Sequence, residues 1–431
     1  MRGLVFFALA ASIQAEVLLL ENFTLIDGSG RAPVTHAALL IRDGRIEYAG
    51  PKAGVKAPGD AKRMDCTGKF VMPGIINLHG HLGNVVGLTQ DPKNYTRENV
   101  MNNLKNYASY GVTTVVSLGS DQPLILEIRR QQRAGRPSTT RVYTAYRGFT
   151  GAGGYPTSAP GMKGVPYEVS TVEQVKKAVA ELADKQVDLI KIWVDDHFGK
   201  ERKIPMDLSR AILDEARKRN LKVVAHIFYL EDARQLVEAG LAGLAHSIRD
   251  KPVDDAMIEL MKRKGAWQMA ATLTRELSAF VYAKPPQFLD DPFFLRAVSA
   301  DVVRALKTPG QKVVASDPRF EAALTVAKKN LKRLADAGVR YGFGTDTGPP
   351  ARFPGYFEHL EMKLMVEAGL TPAQVIQAAT KNAAEFLGAR DLGTLEKGKW
   401  ADLLVLGKNP LENIENTRTL EQVYIAGNRV N

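Results

Sequence analysis

The sequence predicts an α/β protein, a (β/α)8 TIM barrel with a composite β-sandwich built from both chain ends. Three observations point there. Eight apolar, strand-like runs alternate with helical periodicity at roughly 30-residue intervals, the spacing of a strand–helix unit. The two ends of the chain read as strands and turns without helices. Four of the seven histidines stand in segments that close strand-like runs, on the face where barrels place their chemistry.

The elements follow in chain order. Arg2 precedes an apolar stretch from Leu4 to Ala11, and Ser12-Ile13-Gln14-Ala15 leads to Glu16. A short positive region, a short apolar core and a small residue at a cleavage point mark a secretory signal. Residues 1–15 are therefore expected to be removed, leaving a secreted or periplasmic protein. The stretch is too short to span a bilayer, so no membrane span is expected after cleavage.

Residues 16–70 read as strands at Val17 to Leu20, Ala37 to Ile41 and Arg45 to Ala49, with turns at Asp27-Gly28 and Asp43-Gly44. Residues 388–431 return to that style at Ala401 to Leu406 and Gln422 to Asn428. Neither end holds a β core alone, so the two are expected to share one sandwich.

Residues 71–387 are expected to form the barrel. Its strand runs are 75–77, 114–117, 142–145, 189–194, 222–225, 243–245, 268–272 and 341–344. They lack clean polar alternation, as parallel strands buried on both faces do. Helices are legible at Asp207 to Arg219 and from Thr371 to Leu387, the latter with a Thr-Pro start. Two stretches exceed a bare barrel: the Gly-, Pro- and Ser-rich loop Gly148 to Tyr167, and a helical excursion from Leu273 to about Ala327. Long insertions of this kind are usually functional, and either is placed to cover a substrate.

Composition narrows the function. The formal charge is +11, but pairs such as Lys176-Lys177 and Lys328-Lys329 sit among carboxylates on helical stretches. They read as solvated faces, and no aromatic-interleaved basic stripe supports nucleic-acid binding. The single cysteine, Cys66, excludes an intramolecular disulfide and a cysteine-based metal cluster.

Histidine and aspartate remain. His79 and His81 follow the first barrel run, and residues two apart on a strand share a side, so both can reach one ion, with Gly80 leaving room for it. Lys191 sits in the apolar run Leu189-Ile190, where an ammonium is costly. Carbon dioxide would convert it to a carbamate, a carboxylate able to bridge two ions. The plainer reading pairs it with an acid such as Asp195. His226 and His246 close successive strand runs; singly, each would read as a core histidine. Asp346 ends the last run, where a carboxylate can bind metal and act as general base, or simply cap the next helix. His36 is expected at the surface, His197 near the loop and His359 in helix packing. Arg147, Arg249 and Arg275, just beyond strand ends, are candidates to bind a substrate carboxylate through their planar forks, with Tyr229 as a hydroxyl contact.

These residues lie in long motifs. Pro73-Gly74-Ile75-Ile76-Asn77-Leu78-His79-Gly80-His81, Glu367-Ala368-Gly369-Leu370-Thr371-Pro372, Thr380-Lys381-Asn382-Ala383-Ala384 and Gly393-Thr394-Leu395-Glu396-Lys397-Gly398-Lys399-Trp400-Ala401-Asp402 resemble the amidohydrolase superfamily. The resemblance is nearest the branch of imidazolonepropionases, metal-dependent prolidase-like and arginine-carboxypeptidase-like hydrolases. It implies one or two divalent ions, commonly zinc. His79, His81 and Asp346 would hold the first, His226 and His246 the second, and carbamylated Lys191 would bridge them. The implied activity is hydrolysis of an amide-type carbon–nitrogen bond in a small peptide-like or cyclic amide. The small-molecule substrate is the expected partner, and a homo-oligomer is compatible with the chain. Two departures stand out. The usual acid before the histidine pair is Asn77, and the place of a further histidine after His226 is Phe228. Two alternatives remain open: a mononuclear deaminase or imidazolonepropionase-like ring opener with Lys191 unmodified, and a non-catalytic exported binding protein.

Overall fold

Successive side chains of a strand point to opposite faces, and the strand Val17–Leu25 uses both. Leu18, Leu20, Phe23 and Leu25 pack into one core with Leu403 and Val405 from the far end of the chain, while Val17 and Leu19 join Ala38 and Leu40 in another. The computed structural model describes residues 17–308 and 317–430. The leader expected at residues 1–15 lies outside the described residues.

The two chain ends meet in one eight-stranded sheet. Phe70–Pro73 lies beside Val17–Leu25 and runs antiparallel to Leu403–Leu406, with Leu404 opposite Met72. Leu420–Ile425 and Asn428–Arg429 extend one edge, Val34–Arg42 and Arg45–Pro51 the other. Asp43 and Gly44 take φ of +49° and +79°, the left-handed pair a two-residue hairpin turn requires. A side chain on Gly44 would collide with the Ala426 carbonyl.

Between the ends, the eight strand-like runs join in chain order. Ile75–Gly80 pairs in parallel with Val112–Ser117, which pairs with Arg141–Thr144. The Asp188 N–H donates to the Thr144 carbonyl at 3.0 Å, leading to Ile190–Val194. The path continues in parallel through Val223–Ile227 and Gly243–Leu244 to Trp267–Gln268. Gln268 then bridges to Tyr341, and the Leu78 N–H donates to the Phe343 carbonyl at 2.8 Å, which returns the path to its start. The last run makes only isolated bridges, and the chain turns just beyond it at Asp346, with φ +60°. Six of these strands are buried at every position, which is why their sequences show no alternation.

The connecting helices carry the expected start signals. Val172–Asp184 opens with a reciprocal Thr171–Gln174 capping box, as does Pro372–Gln377 with Thr371 and Gln374. The helix expected from Thr371 to Leu387 holds a π-helical turn, Ala378–Asn382, before it finishes as Ala383–Leu387. The loop after Arg141–Thr144 is tied at its base, where Phe149–Gly151 pairs with Tyr167–Val169. The later excursion contributes Leu273–Ser278 and Ala300–Lys307 and packs Phe293 and Phe294 against Tyr110, Tyr356 and Phe357. Among the described residues no helix is long and apolar enough to cross a membrane.

Candidate metal centre and active site

The strand Ile75–Gly80 delivers His79 and, one residue past its end, His81. Their ring centroids lie 5.4 Å apart, and both Nε2 atoms face one oxygen of Asp346, at 3.5 Å from His79 and 2.9 Å from His81. His246, just past Gly243–Leu244, meets His79 edge-on at 4.7 Å and His226 at 4.0 Å. All four predicted histidines and Asp346 therefore come together from distant parts of the chain.

Each imidazole is anchored from outside the cluster through a single nitrogen. His79 Nδ1 meets the Ala245 carbonyl, His81 Nδ1 the Ser120 hydroxyl and His246 Nδ1 the Thr272 hydroxyl, each at 2.8 Å; His226 Nε2 meets Asp195 at 2.7 Å. Anchoring one ring nitrogen is how metal-binding histidines are oriented, and it leaves the other as a ligand. His246 Nε2 is buried with no hydrogen-bond partner. Donor atoms of His79, His246 and Asp346 already lie within 4.8 Å of one another. A buried acceptor without a donor costs about 1–3 kcal/mol, and a cation would satisfy it. Imidazole and carboxylate are the ligands of zinc and similar divalent ions, so the residues fit a metal.

Burial keeps three of these rings, His79, His226 and His246, neutral. It drives His79 and His246 well below the ordinary histidine range, and His226 to about 3 despite the opposing charge of Asp195. Burial also works against charge on Asp346, but Arg352, His79 and His81 outweigh it and hold the carboxyl well below the usual range. Lys191 is fully buried, with Nζ 3.4 Å from His79 Nε2. Burial lowers its ammonium to about 7; Asp346 opposes that shift, and Arg249 and Arg275 add to it. Asp195, the acid that sequence offered to Lys191, is bound to His226 instead. Asp346 caps no helix; Arg352 Nη1 holds its second oxygen at 2.6 Å.

The role expected of Gly80 needs correction. A Cβ there would lie 2.7 Å from the Tyr107 hydroxyl and 2.9 Å from Val115, so the glycine makes room for neighbouring side chains rather than for an ion. Arg147 donates to the carbonyls of Gly164, Val165 and Pro166. Arg249 and Arg275 share Glu276, and the Tyr229 hydroxyl binds Asp196 at 2.8 Å. None of these four is among the described residues that line the cavity over the histidine–Asp346 cluster. His36 is exposed, and buried His359 bonds Thr417 and the Tyr110 carbonyl, both as expected.

That cavity, of about 450 Å³, is bordered by His79, His81, His226 and Asp346, within the size range of small-molecule sites. Several of its residues escaped the sequence reading. Trp193 lies two residues after Lys191, so strand periodicity would have placed both on one face. Tyr155, in the glycine-rich loop, sits 5.1 Å from His226; an aromatic in such a loop was the available signal. Arg352 lies six residues beyond Asp346 in a Gly-Pro-Pro turn, and nothing in that pattern marks it.

Beneath the site is a second polar cluster. Asn77 Oδ1 accepts from the His79 N–H at 2.9 Å, and its amide donates to Glu358 at 2.6 Å and Thr345 at 2.9 Å. Thr345 and Thr347, on either side of Asp346, each donate to Glu358 at 2.8 Å. Glu361, one helical turn on, accepts from the Leu273 N–H, the Thr274 N–H and the Thr274 hydroxyl. Asn77 is therefore what lets a buried carboxyl stand below the histidine pair.

Residues 70–430 match the amidohydrolase family. The chain is 25% identical over 446 residues to the ochratoxinase of Aspergillus niger, covering 94% of this chain and 84% of that protein. It is 24% identical over 412 residues to the imidazolonepropionase of Deinococcus radiodurans, covering 91% and 92%. A provisionally assigned prolidase from Bifidobacterium longum shares the fold with a TM-score of 0.76 at 26% identity, over 96% of this chain and 94% of that one. Fold, histidine cluster and relatives together define an enzyme, a hydrolase acting on carbon–nitrogen bonds. The chain belongs to the amidohydrolase family, and the alternative of a non-catalytic binding protein falls away.

Proposed function

We propose that this enzyme hydrolyses an amide bond in a small peptide-like or cyclic amide, using two divalent ions, zinc by preference, held by His79, His81, His226, His246, Asp346 and a carbamylated Lys191. One observation carries the reading: three anchored imidazoles and a carboxylate border a cavity, and the fourth imidazole, His246, packs against two of them with its Nε2 unpartnered. The relatives act on ochratoxin and on imidazolonepropionate by their names, which supports an amide without selecting one. In this reading the hydrogen-bonded circuit is a (β/α)8 barrel of residues 71–387, and residues 16–70 and 388–431 form its composite sandwich. The leader-like start supports an exported enzyme.

Bound there, divalent ions supply a hydrolytic nucleophile from water near neutral pH and polarise the scissile carbonyl. The protein does the rest. Asp346, kept ionised, accepts the proton of the attacking water as general base and returns it to the leaving nitrogen. The water oxygen joins the carbonyl carbon, the carbon–nitrogen bond breaks, and a carboxylate and an amine result. Asp195, Ala245, Ser120 and Thr272 hold the imidazoles in register. Lys191 reaches its ligand form when its neutral amine adds to the carbon of carbon dioxide and releases one proton. The positive surroundings of Arg249 and Arg275 disfavour an ammonium there and favour the resulting anion.

The test is Lys191→Ala, read by metal analysis and by turnover on an amide and dipeptide library. The expected result is a fall from two ions to one or none and loss of hydrolysis. Full turnover with two ions retained would overturn the bridging role. One observation favours a second reading, a single-ion ring opener: the donors already gathered within 4.8 Å are those of His79, His246 and Asp346, without His226. One tightly held ion in the native enzyme, with activity indifferent to bicarbonate, would select it.

A further inference from the structure

Four arginines stand near the metal-ligand cluster, and three are already committed. Arg147 is held by three carbonyls, while Arg249 and Arg275 are buried against Glu276. Arg352 differs. Its side chain is 21% exposed and borders the cavity. Only its Nη1 is engaged, by Asp346. Nε and Nη2 have no hydrogen-bond partner among the described residues. Those two nitrogens form the guanidinium edge that receives a carboxylate through two parallel bonds.

The arginine is also held in place. The Gly348 N–H donates to the Arg352 carbonyl at 3.0 Å and the Arg352 N–H to the Pro349 carbonyl at 3.1 Å, closing the loop that carries it. A side chain on Gly348 would collide with the His81 carbonyl, so this loop lies directly on the metal-binding segment. Arg352 also borders a smaller cavity of about 230 Å³, where the described residues that line it beside Arg352 are neutral, such as Asn102 and Asn106. Among the described residues, Asp346 is the only acid bordering the main cavity, and no lysine or second arginine borders it. Its remaining wall is largely apolar, including Leu82, Val85, Leu88, Met162 and Trp193.

We infer that the free edge of Arg352 is the substrate-anchoring site of this cavity, and that the enzyme takes amides carrying one carboxylate close to the scissile bond and an otherwise apolar body. The inference rests on the hydrolytic reading for the word substrate, but not for the binding it asserts. Because Nη1 holds Asp346 while Nε and Nη2 hold the anion, a single planar group sets the distance between the general base and the ligand's charge. A neutral amide of the same shape leaves that edge dry and unmatched, which is how a polar site rejects an analogue lacking the matching group.

The experiment reads binding without turnover, so a protein that hydrolyses nothing still passes or fails it. Calorimetric titration compares 3-phenylpropionate with neutral 3-phenylpropionamide, on metal-loaded and on chelator-treated protein. The expected result is a preference for the carboxylate of at least about tenfold in both forms. Arg352→Gln removes the preference and leaves the weak affinity for the amide unchanged; Arg352→Lys keeps part of it. A preference that survives in Arg352→Gln, or one that vanishes when metal is removed from the native protein, assigns the anion to the ions and overturns the inference. Equal affinity of the native protein for the two probes overturns it as well. Thermal midpoints of the variants, compared with native, establish that each is folded.

Discussion

The four imidazoles and the carboxyl pair Glu358 and Glu361 are both buried polar clusters, and they differ in how their atoms are matched. Every carboxyl oxygen of Glu358 and Glu361 accepts at least one hydrogen bond. The histidines are matched less completely: the second nitrogens of His79 and His81 meet only Lys191 and Asp346 of the same cluster, and His246 keeps one nitrogen bare. Burial alone does not separate function from scaffold here, since both clusters are desolvated. Matched groups hold the chain in place, and an unmatched acceptor waits for something the chain does not supply.

The largest way to break this contrast is His246→Leu, which removes the unmatched atom. Turnover should fall by at least about 10³-fold, roughly 4 kcal/mol of barrier, and bound metal should fall with it. The metal-free protein should lose little stability, because an unsatisfied polar group gives way to an apolar one. Kinetics, metal analysis and calorimetry of the chelated protein read all three. A metal-free variant strongly destabilised by this change would mean that His246 was structural after all.

Asn77 joins the two clusters and gives the next effect. Aspartate at 77 would set one carboxyl against another, where the amide now donates to Glu358 at 2.6 Å, and would disturb the backbone at His79. The expected cost is about 10- to 100-fold in kcat, as for groups that orient metal ligands, with metal content largely kept. The double change Asn77→Asp with Glu358→Gln restores a donor between the two positions and should recover part of that loss. A double-mutant cycle on kcat measures the coupling; strict additivity would show that the pair does not act together.

The same contrast explains what the sequence disclosed. The strand runs were legible because burial on both faces leaves continuous apolar stretches. The candidate metal ligands were legible because His79, His81, His226, His246 and Asp346 each interrupt such a stretch at its end. Asn77 was legible only as a departure from a resemblance, since its meaning depends on Glu358, 281 residues away. Glu358 and Glu361 were hidden because a carboxylate on a helix reads as solvated, and nothing local says that Tyr356–Glu367 buries most of its residues. Arg147, Arg249 and Arg275 stand near strand ends as expected, yet their partners are backbone carbonyls and Glu276, which proximity in sequence does not reveal. Arg352 escaped for the converse reason: its value lies in a partner it lacks.

The smallest and most discriminating test sits within the matched cluster. Glu361→Gln turns one accepting oxygen into a donor facing the Leu273 or Thr274 N–H, and should cost on the order of 2 kcal/mol without altering metal binding. Burial raises the Glu361 carboxyl from 4.5 to about 7, and the sign of the pH dependence follows. A folded-state value above the unfolded one means that the unfolded chain releases its proton first. The native carboxyl's contribution is therefore full below about pH 4.5, declines as pH rises toward 7, and is flat beyond. Glutamine does not titrate, so the deficit of Glu361→Gln should be greatest near pH 4.5 and shrink up to pH 7, read as the difference between denaturation midpoints of the two proteins. Taking that difference matters, because the buried neutral histidines give the opposite slope in both proteins and cancel. A deficit that grows with pH over this window would show Glu361 ionised within the fold, its three donors outweighing its burial.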